Sequence, residues 1–145
     1  MTLYKFKNID LSDEMNVSFK IRKKVFCEEQ NISIDIEFDN LDHLCEHFLI
    51  YKENKAIATA RVRKKSDLIF KIERVAVLLE YRKLKVGTSL ITEIIKYYHK
   101  INKKNSIILH SQVAVEDFYK SLNFTSCGDR FLEDGILHIA MRHLN

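Results

Sequence analysis

Residues 70–90 hold the segment that most limits how this chain can fold. A β-branched run, Ile72-Glu73-Arg74-Val75-Ala76-Val77, passes through a basic turn, Tyr81-Arg82-Lys83-Leu84-Lys85-Val86-Gly87-Thr88, into a strongly helical stretch. The pattern predicts a strand, a turn and a helix in direct succession. The first backbone N–H groups of such a helix lack intrahelical partners, and the positive end of the helix dipole stands behind them. That arrangement suits a phosphate or pyrophosphate, so a phosphate-bearing cofactor is expected here.

The residues beyond the turn set the topology. Residues 86–101 place Val86, Leu90, Ile94 and Tyr97 on one helical stripe, and Ile107-Ile108-Leu109 reads as a short, wholly apolar strand. A helix that crosses over to a buried strand makes part of the sheet parallel. Upstream, residues 47–51, 56–62 and 68–78 read as an antiparallel meander, turning at Glu53-Asn54-Lys55 and near Lys64-Lys65-Ser66-Asp67.

The ends are read in the same way. Residues 1–7 alternate like a strand, and residues 10–12 offer helix-capping side chains. Met15, Phe19, Ile21, Val25 and Phe26 then recur as an amphipathic first helix. The acidic stretch 28–42 has no clear period and is expected as a loop with room for a short helix. Residues 115–122 predict a short helix, stopped at Asn123, which tolerates the left-handed conformation. Strands near 125–127 and 136–142, joined through Asp134-Gly135, close the chain. With 145 residues, 46% of them hydrophobic, no proline and no repeat or linker, the expectation is one α/β domain, residues 1–145, on a mixed sheet.

Charge and cysteine usage narrow the function classes. Twenty-four Lys+Arg against 20 Asp+Glu leave a formal charge of +4, too modest to imply nucleic-acid binding. Among the basic clusters, only Lys83 and Lys85 fall in a turn that concentrates charge on a ligand. Arg61, Arg63, Lys64 and Lys65 are read as a hairpin, and Lys100, Lys103 and Lys104 as a helix end. Cys27, Cys45 and Cys127 are odd in number and lack a CxxC pair, which points to a reducing, cytoplasmic compartment. No apolar run approaches a signal peptide core or a membrane span, so neither leader nor membrane is expected.

Taken in order, the strand, phosphate turn, crossover helix, short strand and Phe118-Tyr119 helix resemble the GNAT superfamily of acyl-CoA-dependent N-acyltransferases, over nearly the whole chain. The family's Q/R-x-x-G-x-G/A motif is matched by Arg82-Lys83-Leu84-Lys85-Val86-Gly87, with Lys85 at the first Gly position. Its A-x-x-F-Y-x-x-x-G-F pattern is similar to Ala114 through Phe124, with Asn123 in place of Gly. More narrowly, Val25-Phe26-Cys27-Glu28-Glu29-Gln30, Asp39, Asp42, Glu46-His47 and the late Glu133 to His138 segment look like the ElaA-like branch. The resemblance implies a GNAT fold, a mixed, mostly antiparallel sheet of about six to seven strands flanked by helices. It also implies acetyl-CoA as acyl donor, a primary amine as acceptor, direct attack on the thioester, no metal, and a homodimer as one possible assembly.

Roles follow from the resemblance, position by position. Glu73 is implied as general base, with burial raising its pKa, beside the alternative that it only pairs with Arg74, Lys71 or a neighbouring strand. Tyr119 is implied as general acid toward the CoA sulfur, with Phe118 packing beside it; without the family, both would be read as core. The backbone of Val75, Ala76 and Val77 is implied to pair with pantetheine. Arg82, Lys83, Lys85, Val86, Gly87 and Thr88 would cradle the pyrophosphate, and Gln112 (with Ser111) would line the cleft or cap the strand. Lys85 is tolerable if the backbone there needs no positive φ; otherwise a non-catalytic acyl-CoA sensor or interaction module is the second reading.

Several histidines remain. His43-Leu44-Cys45-Glu46-His47 spells H-x-x-E-H, but His47 opens a strand and no third ligand is evident, so no zinc site is expected. His110 and His138 are read as alternative bases, structural residues or substrate contacts. The acidic residues of 28–42 are either an attractor for a cationic amine or a solvated loop, and acceptor and acyl chain length are left open.

Overall fold

The central strands are apolar on both faces and therefore need cover on both sides. In the computed structural model, which describes residues 4–9 and 14–145, helices supply that cover. Seven strands form one sheet: β1 (Tyr4–Ile9), β2 (Cys45–Lys52), β3 (Lys55–Ser66), β4 (Ile69–Val77), β5 (Ser106–Gln112), β6 (Phe124–Glu133) and β7 (Ile136–His143). Their order is β1-β2-β3-β4-β5-β7-β6, and every neighbouring pair is antiparallel except β4 and β5. The mixed, mostly antiparallel sheet expected from the crossover pattern is therefore present.

On one face lies α3 (Val86–Ile101), which buries Val86, Leu90, Ile91, Ile94 and Tyr98 against Phe48, Ile50, Ala60 and Val62. Leu90 is wholly enclosed, so truncating it to Ala costs about 2–5 kcal/mol. The other face is covered by α1 (Glu14–Arg22), which widens into a π-helical turn over Lys23–Glu29. Met15, Ile21, Val25 and Phe26 pack there on Leu49 and Ala76. Consecutive residues of β2 thus enter different cores, Phe48 and Ile50 on one face and Leu49 on the other.

Local differences from the sequence reading have simple causes. The fourth member of the α3 stripe is Tyr98, not Tyr97, because steps of four from Val86 through Leu90 and Ile94 arrive at 98. Tyr97 sits on the flank, its hydroxyl donating to Glu46 Oε2 at 2.9 Å. The 28–42 stretch does contain a short helix, α2 (Ile34–Glu37), capped by the Ser33 hydroxyl, and adds a 3-10 turn at Asp42–Leu44. Strand β6 runs well past residue 127, through a bulge around Gly128. Asn123 ends α4 (Glu116–Ser121) with φ 71°, as expected. The expected capping residues 10–12 and the first three residues lie outside the described part.

Candidate functional site

The site begins where two strands part. Parallel pairing of β4 with β5 stops at Ile72 and Leu109, so the rest of β4 leaves an edge without a strand partner on that side. A bulge drives the separation. Arg74 and Val75 of β4 stand opposite Ala60 of β3, and Arg74 takes φ 56°. A left-handed non-glycine residue costs roughly 1–2 kcal/mol, and the Arg74 side chain is tied down by ion pairs to Glu37 at 3.1 Å and Asp39 at 3.3 Å. The opening between the strands is a cavity of about 980 Å³.

The phosphate turn forms one wall. Val86, Gly87 and Thr88 line the cavity at the N-terminus of α3, which has no side-chain cap, and the first helical bond of the turn runs from Ser89 N to Lys85 O at 3.0 Å. Lys85 adopts φ 64° and Lys83 φ 63°. The tolerance expected for Lys85 is therefore not met, since the backbone there does take a positive φ and lysine carries its strain. Both lysines remain exposed at the mouth, where their charge faces an incoming anion. Arg82 is partly occupied, its Nε donating to Val77 O at 2.9 Å and its Nη2 to Glu29 at 2.9 Å. It braces the end of β4 against the π-helical turn. Gly87 is the close contact, because a Cβ there would lie 3.1 Å from Phe118 Cζ.

Tyr119, on α4, lines the cavity and is only 7% exposed. Its ring packs edge-on to Phe118 and Phe124, and its hydroxyl has no hydrogen-bond partner among the described residues. Burial pushes its pKa far up, so it stays a protonated donor. On the opposite wall Gln112 donates to Gln30 at 2.9 Å, and the Ser111 hydroxyl turns back to the Gln112 carbonyl at 2.8 Å.

The acceptor end is built from charge. Burial acts to raise the Glu73 pKa, but the positive charges of Arg61, Lys71 and Arg63 outweigh it and hold the carboxyl below its usual value. The raised value expected from sequence is thus not found. Arg61 is 1% exposed and pairs with Asp39 at 2.8 Å, Asp42 at 3.1 Å and Glu73 at 3.2 Å. Arg22, equally buried on α1, pairs with Glu37 at 2.9 Å and Asp42 at 2.7 Å. Sequence reasoning missed both. Arg61 and Arg63 do lie on the β3–β4 hairpin expected from sequence, and both in addition line the cavity. Their alternation with Val62 on β3 was the available signal. The acidic stretch is likewise neither a solvated loop throughout nor a free attractor, because Glu37, Asp39 and Asp42 are taken up by arginines.

Beyond the splay, His110 follows the last β4–β5 pair and lines the cavity with His138 and Glu133. His110 Nδ1 lies 3.4 Å from Glu133 Oε1, and His138 Nε2 lies 3.6 Å from Oε2. Burial, and then the Lys71 charge, lower the His110 pKa below its usual value against the pull of Glu133, which favours the neutral ring. The H-x-x-E-H string is split between the 3-10 turn and β2, so its histidines do not share a helical face. His47 instead bonds through Nε2 to Asp42 O at 2.8 Å.

Comparison with known proteins bears on the family and the fold. Residues 22–144 match the family model of an acetyltransferase (GNAT) domain. The Bacillus subtilis (strain 168) protein YyaT is 36% identical over 138 residues, 93% of this chain and 92% of that one. Protein ElaA of Escherichia coli (strain K12) is 32% identical over 125 residues, 84% of this chain and 82% of that one. The crystal structure of Escherichia coli ElaA aligns with a TM-score of 0.82 at 27% identity, over 99% of this chain and 100% of that chain. A Bacillus subtilis acetyltransferase solved in complex with CoA shares the fold at a TM-score of 0.72 and 11% identity, over 97% of this chain and 98% of that chain.

Proposed function

The chain belongs to the GNAT family of acetyltransferases, and from that premise we propose that it transfers an acetyl group from acetyl-CoA to a primary amine by direct attack on the thioester. One observation carries the reading. The uncapped N-terminus of α3, the unpaired edge of β4 and the unpartnered Tyr119 hydroxyl all meet in one cavity. The free N–H groups of Val86, Gly87 and Thr88 are donors for a pyrophosphate, with Lys83 and Lys85 adding charge. The open edge of β4 at Val75, Ala76 and Val77 pairs with the amide arm of the donor as a strand would, and an N–H there holds the developing oxyanion. CoA supplies an activated thioester and a thiolate leaving group.

Proton transfers fall to side chains. As the amine nitrogen bonds to the acyl carbon and the carbon–sulfur bond breaks, one proton must leave nitrogen and one must reach sulfur. Tyr119 supplies the second. For the first, His110 is assigned, because its ring lines the cavity beside the strand splay, whereas Glu73 is committed to Arg61, Arg63 and Lys71. Glu73 is held ionised by three cations and serves to keep Arg63 and Lys71 in place. Three free cysteines accord with a reducing, cytoplasmic site of action.

The experiment is calorimetric titration of acetyl-CoA, with CoA as control, followed by thiol release over an amine panel. Saturable binding lost in Gly87→Trp and weakened in Arg82→Ala, with acceptor-dependent thiol release, is the expected result. Lys85 in its strained conformation is the one feature favouring the alternative, a non-catalytic acyl-CoA-binding module. Binding without thiol release on any amine would establish that alternative.

A further inference from the structure

The charge network beside the cavity does not balance. Five cationic side chains, Arg22, Arg61, Arg63, Lys71 and Arg74, interlock with four carboxylates, Glu37, Asp39, Asp42 and Glu73. The excess can be located. Arg22, Arg61 and Arg74 each touch at least two carboxylates, whereas Arg63 and Lys71 share a single oxygen, Oε2 of Glu73, each at 3.2 Å. Glu73 is the sole ionic partner of either among the described residues.

Both side chains are largely enclosed, 25% and 12% exposed, and both line the cavity. Arg63 Nε is buried without any hydrogen-bond partner, a state that folded proteins rarely leave uncompensated. Directly paired across β3 and β4, the two residues present donors from adjacent strands to one spot. A guanidinium and an ammonium that share one carboxylate oxygen in a cavity wall keep further N–H donors, and a carboxylate matches them by accepting a charge-assisted hydrogen bond from each.

We propose that Arg63 and Lys71 bind a carboxylate on the acceptor, so that the amine acetylated is that of a free amino acid. This rests on the N-acetyltransferase reading of the same cavity. The placement is consistent with the chemistry. Lys71 pairs with Ile108 on β5, two residues before His110 on the same strand face, and its charge acts on the His110 ring. A carboxylate held there sets the α-amine on the side of the imidazole and the strand splay. Val25, Phe26, Ile32 and Ile36 line the cavity as well, and they favour amino acids with apolar side chains.

The test pairs turnover with binding. Thiol release from acetyl-CoA is measured with the standard amino acids, their amides, the matching decarboxylated amines and phosphoethanolamine. Binding of leucine and leucinamide to the CoA-loaded protein is measured by calorimetry. The expected result is kcat/KM for the acids roughly 10- to 100-fold above the amides, the size of a charge-assisted contact. Arg63→Gln and Lys71→Met should each raise KM for the acids by a similar factor, erase the preference and leave CoA affinity unchanged. Two separate variants guard against one that fails to fold. Amides, plain amines or phosphoethanolamine turned over as well as or better than the acids would overturn the proposal while leaving N-acetyl transfer intact. Leucine bound selectively through Arg63 and Lys71 but never acetylated would keep the carboxylate site and sink the enzyme reading. Neither binding nor turnover with any amino acid would overturn the site.

Discussion

Gly87 and Phe118 approach so closely that a Cβ on the glycine would lie 3.1 Å from the Phe118 ring. Through this contact the first turn of α3 meets α4, the helix that carries Tyr119. Gly87→Ala should weaken acetyl-CoA binding several-fold by tilting the free N–H groups. Adding Phe118→Leu should restore part of that affinity. Calorimetry on the single and double variants checks it, and additive losses would show that the contact is not what holds the turn.

Tyr119→Phe removes one unpartnered hydroxyl and little packing. The expected outcome is kcat reduced by roughly 100-fold with CoA affinity and melting temperature nearly unchanged. An equal loss of stability and activity would return Tyr119 to the core.

The proposed base sets the pH profile. His110 must be neutral to accept a proton, and its pKa lies below the ordinary histidine value, so activity should fall as pH drops into the acid range below 6.5. His110→Gln should abolish that limb and slow the reaction roughly 100-fold or more. Glu73→Gln should leave the limb in place. If the limb vanishes with Glu73→Gln instead, the glutamate is the base despite its cations.

Lys85 carries φ 64° without a glycine's freedom. Lys85→Gly should stabilise the fold by up to about 1 kcal/mol, the left-handed strain relieved less the added flexibility of the unfolded chain. It should also weaken CoA binding by removing a charge from the mouth. Chemical denaturation and calorimetry read the two effects separately.

The Arg61 cluster should dominate acid and mutational sensitivity. Its hydrogen bonds to Asp39 hold that carboxyl far below its usual value against the opposing effect of burial. A depressed carboxylate contributes stability that is complete above its unfolded value near pH 4 and is lost as pH falls toward the folded one. Arg61→Met leaves three carboxylates short of a partner and should cost about 3–5 kcal/mol, seen as a lower melting temperature and a flatter acid limb of stability.

How much of this could be read from the chain depends on the range of the forces involved. The strand–turn–helix at 70–90 and the stripe on α3 rest on local periodicity and backbone chemistry, so residues close in sequence suffice to predict them. Even the parallel strand pair follows, since a helix must cross over to reach Ile107. The left-handed Asn123 is of the same kind. Tertiary structure alone decided the bulge at Arg74, the splay beyond Ile72, and the reassignment of Arg61, Arg63 and the 37–42 carboxylates from surface to site. Those charges come from β3, the end of α2, the segment after it and the 3-10 turn, and a charge is stable inside only when a partner is supplied with it. Apart from Lys71 and Glu73, which lie two residues apart on β4, the members of these pairs are 10 or more residues apart in the chain. The lowered pKa of Glu73 follows the same division, because burial and the nearby Lys71 are legible on its own strand, whereas Arg61 and Arg63, which tip the balance, reach it only through the pairing of β3 with β4.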